Sequence, residues 1–108
     1  MQEAASARRF SNPSLHWQAA AIWADDELMQ FKVWLAGNPT AGDVIKGSGG
    51  IRKVRWSRAG MGKRGGARVV YFNETQGRIW LLLAYTKTQY DNISTDVLVQ
   101  LREEIENV

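Results

Sequence analysis

Residues 78–87 read RIWLLLAYTK. The unbroken apolar run from Ile79 to Ala84 predicts a central strand covered on both faces near its start, since a half-exposed strand would alternate. Tyr85 and Lys87 are two residues apart and so share a face near its end. Glu74 to Gly77 is a turn. Before it, ARVVYFN (67–73) predicts another strand, with Arg68, Val70 and Phe72 on one face. Further back, IRKVRWS (51–57) alternates. Val54 and Trp56 share a face with Arg52, while Lys53 and Arg55 share the other with Ile51. Three consecutive strands with short links predict an antiparallel meander.

The meander carries most of the positive charge. Lys46 to Arg68, KGSGGIRKVRWSRAGMGKRGGAR, holds eight of the fourteen basic residues and seven of the ten glycines. No acid occurs from Val44 to Asn73. Residues 44–90 hold ten bases and one acid, net +9, between an N-terminal part of net −2 and a C-terminal part of net −4. A basic block of this kind is the footprint of a polyanion, above all nucleic acid. Its glycines leave main-chain N–H groups free to approach phosphates. Arg58 to Gly66 is a glycine-basic loop, but it lacks the closing Lys-Ser/Thr and the spacing of a phosphate-binding P-loop. The competing reading is a solvated basic loop.

The flanks read as helices. Ser11-Asn12-Pro13 is a helix start, and Leu15, Ala19, Ile22 and Trp23 follow at helical spacing, which predicts a helix over 13–23. Asp25-Asp26-Glu27 opens a second helix with acids where the helix dipole favours them. Leu28, Phe31, Trp34 and Leu35 form its apolar face, and Gly37-Asn38-Pro39 ends it. One or two residues join the two helices, so they should form a hairpin. Asn38 to Gly50 is a turn-rich connector. Near the C-terminus, Ser94 caps a last helix with Leu98, Leu101 and Ile105 as its stripe. Arg8-Arg9-Phe10 reads as a short edge strand. The fold class is therefore α+β, ordered β-α-α-β-β-β-α. The helices should cover one sheet face and leave the other partly open and basic.

At 108 residues the chain is expected to be one domain, 1–108, with residues 1–7 loose. It has no cysteine, which excludes disulfides, thiolate chemistry and cysteine zinc sites. A single histidine, His16, rules out a histidine metal cluster and is expected to be structural or solvated. No cofactor and no metal are expected. No run approaches a membrane span or a signal peptide, and the expected location is the cytoplasm.

Three strings, NPTAGDVIKGSGGIRKVRW (38–56), GKRGGARVVYF (62–72) and the IWLLLAYTK strand with the following DNIS (91–94), resemble the RelE/ParE superfamily of bacterial toxins, most nearly its HigB-type branch. The similarity covers about residues 25–105. It implies a RelE-like, microbial-ribonuclease-type fold with an antiparallel sheet, a helical hairpin and a C-terminal helix. It implies a metal-independent endoribonuclease that cuts messenger RNA in the ribosomal A site. It also implies a cognate antitoxin partner with a helix-turn-helix domain. By alignment of the motifs, Lys53, Arg55, Arg68, Tyr85 and Lys87 take the catalytic positions. Lys46, Arg52, Arg58, Lys63 and Arg64 are left as RNA-binding cations.

RNA is cut without a metal when its own 2′-hydroxyl attacks the adjacent phosphorus. That needs a base, positive charge around the phosphorane and an acid for the leaving 5′-oxygen. Arginine is a poor base and a good phosphate clamp. Lys53, or Lys87, is the expected base, Arg55 and Arg68 the charge stabilisers, and Tyr85 a side chain that stacks on or orients a nucleobase. Two other functions fit the same residues. One is a non-catalytic nucleic-acid-binding module. The other is a toxin of the same fold acting on gyrase.

Overall fold

The computed structural model describes residues 9–11, 17, 22–56, 67–74, 77–86 and 93–106. In chain order these form β1 (Arg9–Ser11), α1 (Asp25–Gly37), β2 (Asp43–Val44), β3 (Arg52–Trp56), β4 (Ala67–Asn73), β5 (Arg78–Thr86) and α2 (Thr95–Glu106). The strands make one five-stranded sheet in the order β1-β5-β4-β3-β2. The expected helix at 13–23, and with it the helical hairpin, falls mainly outside the described residues. Its last two residues, Ile22 and Trp23, lie outside any helix, just ahead of α1.

The apolar run of β5 takes the place its composition requires. All seven residues from Ile79 to Tyr85 are buried. They feed two cores, one on each face of the sheet. On the first face Phe31 and Leu35 of α1 pack with Ile22 and Trp23 over Val54, Val69, Tyr71, Ile79, Leu81 and Ala84. On the second, Leu101 of α2 packs over Ile51, Val70, Trp80, Leu82, Leu83 and Tyr85, with Leu98 and Ile105 beside it. Full burial of Phe31, Leu35 or Leu101 contributes about 1.5–3 kcal/mol each. The expectation that helices cover one face is thus corrected: α1 and α2 lie on opposite faces. A central strand apolar on both sides would otherwise leave one side in water.

The helices stop and start for local reasons. At the start of α1 the Ala24 N–H donates to Glu27 Oε1 at 3.1 Å. At its end the Asn38 side-chain amide donates to the Trp34 carbonyl at 3.0 Å. Its aromatic side chains interlock with the sheet, Phe31 edge-on to Trp56 at 5.4 Å and Trp34 against Trp56 at 5.0 Å.

Two strands depart from the sequence reading. β1 runs parallel to β5, pairing Arg9 with Arg78 and Ser11 with Trp80. No short turn links these two strands, so nothing imposes the antiparallel sense that a hairpin imposes. Arg78 Nη1 donates to Ser11 Oγ at 2.9 Å and fastens this edge. β2 arises inside the expected connector and pairs antiparallel with β3, Asp43 with Lys53 and Val44 with Arg52. Gly42 allows the approach, because a Cβ there would lie 2.8 Å from the Lys53 carbonyl oxygen.

Candidate functional site

The meander brings the cations together by register. Arg55 on β3 pairs with Arg68 on β4, and Arg68 pairs with Tyr85 on β5. The three therefore form one row across the sheet. The next row on the same face is Lys53, Val70 and Leu83. Side chains directly opposed in an antiparallel ladder have Cβ atoms about 4.5–5.5 Å apart, and like charges there are destabilising. Arg55 stands opposite Arg68 nonetheless. Among the described residues the ion pairs are Arg78 with Glu74 and Arg102 with Glu106, and neither involves this row. Arg55 is exposed, while Arg68 and Lys53 are half-buried.

Tyr85 reaches this face through an irregularity in the ladder. Val70 pairs with Leu83 but Tyr71 with Leu81, so Leu82 is an extra residue on β5. Leu82 and Leu83 consequently both join the α2-side core. Without this bulge Arg68 would face Ala84, and Tyr85 would turn to the α1 side. The Tyr85 ring is buried. Burial pushes its phenol up, and the Arg68 guanidinium pulls part of the way back. An enclosed ring offers no face for a nucleobase, so Tyr85 does not stack and instead stands opposite Arg68 in the ladder.

The remaining expected residues scatter. Arg52 points to the opposite face from Lys53 and Arg55, and its Nη1 donates to the Gly42 carbonyl at 2.6 Å and to the Thr40 carbonyl at 3.3 Å. It is a brace for the connector rather than part of the row. Lys46 is exposed in the loop between β2 and β3, beside a groove of about 480 Å³ that runs along α2 past Leu98, Val99, Arg102, Glu103 and Glu106. Lys87, Arg58, Lys63 and Arg64 lie outside the described residues.

The GSGG segment is a hairpin loop with its own hydrogen-bond closure. Buried Ser48 donates through Oγ to the Ile45 carbonyl at 2.6 Å and accepts from the Ile51 N–H at 3.0 Å. Gly50 has φ +110°, and a Cβ there would lie 3.2 Å from Phe72 Cε1. A second anchor holds the connector before β2. The Tyr71 hydroxyl accepts from the Gly42 N–H at 3.0 Å and donates to the Pro39 carbonyl at 2.8 Å, and Asn73 Nδ2 donates to the same carbonyl at 2.6 Å. Burial raises the Tyr71 pKa; the Gly42 hydrogen bond and Arg52 oppose the rise, and Asp43 adds to it.

One residue escaped the sequence reading. Asp43 sits opposite Lys53, immediately before the acid-free window. Its signal was the loop itself: a hairpin closed between Ile45 and Ile51 places positions 43 and 53 side by side. Among the described residues no three carboxylate or imidazole side chains converge as a metal site requires, and no helix is long and apolar enough to cross a membrane.

The face as built can grip a phosphodiester: two arginines abreast, a lysine one row away and apolar walls behind. Residues 23–107 match the family described as the RelE toxin of the RelE/RelB toxin–antitoxin system.

Proposed function

The chain belongs to the RelE toxin family, and from that premise we propose that it is a ribosome-dependent endoribonuclease that cuts messenger RNA without a metal. Toxins of this family generally inhibit translation as endoribonucleases, and each is half of a toxin–antitoxin pair. The finer reading is that cleavage occurs in the ribosomal A site and that the cognate antitoxin carries a helix-turn-helix domain. The GDVI–GSGGIRKVRW–GKRGGAR string supports a place in the HigB-like branch, and the setting is the cytoplasm.

The observation that carries this reading is the Arg55–Arg68 pairing across β3 and β4. Two guanidinium groups held abreast can bind the non-bridging oxygens of one phosphate and stabilise the charge that builds on the phosphorane. Lys53 adds a third cation from the next row. Tyr85 stands opposite Arg68 across the ladder and closes the row. Lys46 and the glycine-basic loop cations Arg58, Lys63 and Arg64 extend the contact to neighbouring phosphates. The antitoxin would cover this face with acidic side chains, an attraction that salt weakens.

The test is to induce the protein in a bacterial host beside its Arg68→Ala variant and to map 5′ ends on cellular messages. New ends inside translated frames, in phase with codons and lost in the variant, are the expected result. Growth arrest without new ends would point to a gyrase-type target. Neither arrest nor new ends, with salt-dependent RNA binding retained, would leave a binding module.

A further inference from the structure

One carboxylate stands among the cations of this face. The ladder pairs Asp43 with Lys53 and Lys53 with Val70. Directly paired residues project to the same side of a sheet, so Asp43 leaves the sheet on the side of Lys53, Arg55 and Arg68. Arg55 is its diagonal neighbour, about 7–8 Å away. One phosphodiester spans such a gap, with its phosphate on the arginine and the adjoining ribose toward the acid. Asp43 is exposed and Lys53 half-buried, and the two do not close into an ion pair among the described residues.

Among the described residues, the ladder and the hydrogen bonds locate the charged and titratable groups near Asp43. Lys53 lies across the ladder. Arg52 pairs with Val44, so it lies on the opposite face and is turned to the carbonyls of Thr40 and Gly42. The Tyr71 hydroxyl, bonded to Gly42 and Pro39, feels the Asp43 charge. The acids Glu103 and Glu106 of α2 line the groove beside Lys46 instead.

Resting on the endoribonuclease reading above, we infer that Asp43 is the proton acceptor for the attacking 2′-hydroxyl and that Lys53, its cross-strand partner, donates to the leaving 5′-oxygen. Lysine and tyrosine side chains ordinarily titrate near pH 10, so neither is a ready base at neutral pH. Burial moves the Tyr85 phenol further from that role. A carboxylate is already ionised at neutral pH and needs no activation to accept a proton.

The step balances within the pair. The 2′-oxygen loses its proton to Asp43 and bonds to phosphorus. The bond from phosphorus to the 5′-oxygen breaks, and that oxygen takes a proton from the Lys53 ammonium. The products are a 2′,3′-cyclic phosphate and a free 5′-hydroxyl. Asp43 is left protonated and Lys53 neutral, and transfer across the ladder restores both. No oxidant, metal or further reactant enters.

The test compares wild type, Asp43→Asn, Asp43→Glu and Arg68→Ala in single-turnover cleavage of message on programmed ribosomes, over a pH series, with thermal melts of each protein. Wild type should slow as pH is lowered. Asp43→Asn should melt like wild type, cleave about 100-fold slower or worse, and lose that acid limb. Asp43→Glu should retain cleavage and the limb. Arg68→Ala should be slow with the limb intact. Asp43→Asn cleavage within about threefold of wild type, or slow cleavage that keeps the acid limb, would overturn the assignment. If Asp43→Asn does not fold, Asp43→Ala decides: a folded Ala variant that cleaves within about threefold of wild type, or that is slow but keeps the acid limb, would also overturn it. A wild-type protein that arrests growth and cleaves no RNA would sink the endoribonuclease reading itself, and this assignment with it.

Discussion

Arg52 and Arg55 stand three positions apart on the same five-residue strand, on opposite faces of the sheet. On the α1 face, Arg52 is spent on the carbonyls of Thr40 and Gly42, and Val54 and Trp56 beside it pack against the aromatic side chains of α1. On the other face, Arg55 is exposed opposite Arg68, and no acid pairs with either among the described residues. A run of basic residues is therefore not one patch. The two-residue period of the strand sorts it into a brace and a clamp. Charge density locates the strand, and only parity tells which cations face a ligand.

The sharpest way to break this contrast is to remove one cation from each face. Arg68→Ala should lower the single-turnover cleavage rate by about 100-fold or more while leaving the urea midpoint nearly unchanged, because removal of one preorganised charge donor costs on that order. Arg55→Ala should follow with a loss of about tenfold or more and a weaker salt dependence of RNA binding, since it is the more exposed of the two. Arg52→Ala should do the reverse. Losing charged hydrogen bonds to two carbonyls should cost about 1.5–3 kcal/mol in urea denaturation, with the folded fraction cutting at nearly the wild-type rate. Equal effects from Arg52 and Arg55 would abolish the distinction between the faces.

Tyr71→Phe refines the brace side. It removes the hydroxyl that bridges Gly42 and Pro39, and should cost about 1–3 kcal/mol in the same assay. The smallest effect is at high pH. The folded pKa of Tyr71 and of Tyr85 is raised above the ordinary 10.0 by burial. Below about pH 10 both phenols are neutral, folded or unfolded, and contribute no pH dependence. As pH rises above that value the unfolded chain gives up its phenol protons first, so stability should fall through the folded pKa values. Melting temperature against pH, read beside phenolate absorbance, should show the fall, and Tyr71→Phe should make it shallower.

Much of the sheet was legible because its strands carry their own signals. The alternation of RKVRW placed Val54 and Trp56 inward and Lys53 and Arg55 together, and β3 keeps that division. The apolar run of β5 announced burial on both faces, and that is how it sits. The same run hid the bulge. When every residue from Ile79 to Tyr85 is buried, no polar residue marks where the phase changes, so the face on which Tyr85 emerges cannot be counted off. β2 is two residues long, too short for alternation to register. Asp43 was missed with it, since an acid outside a recognised strand has no partner to be paired with. The direction of β1 was equally silent, because it depends on the path between strands and not on the residues within them.

The parallel pairing of β1 with β5 also bears on when the protein becomes itself. Synthesis runs from the N-terminus, so Arg9 leaves the ribosome long before Arg78, the residue it pairs with. Until then the first strand has no neighbour, and the row that needs Arg55, Arg68 and Tyr85 lacks its last member. The row is thus incomplete for most of the chain's synthesis. The edge closes and the row is completed by the same late arrival, the strand RIWLLLAYT.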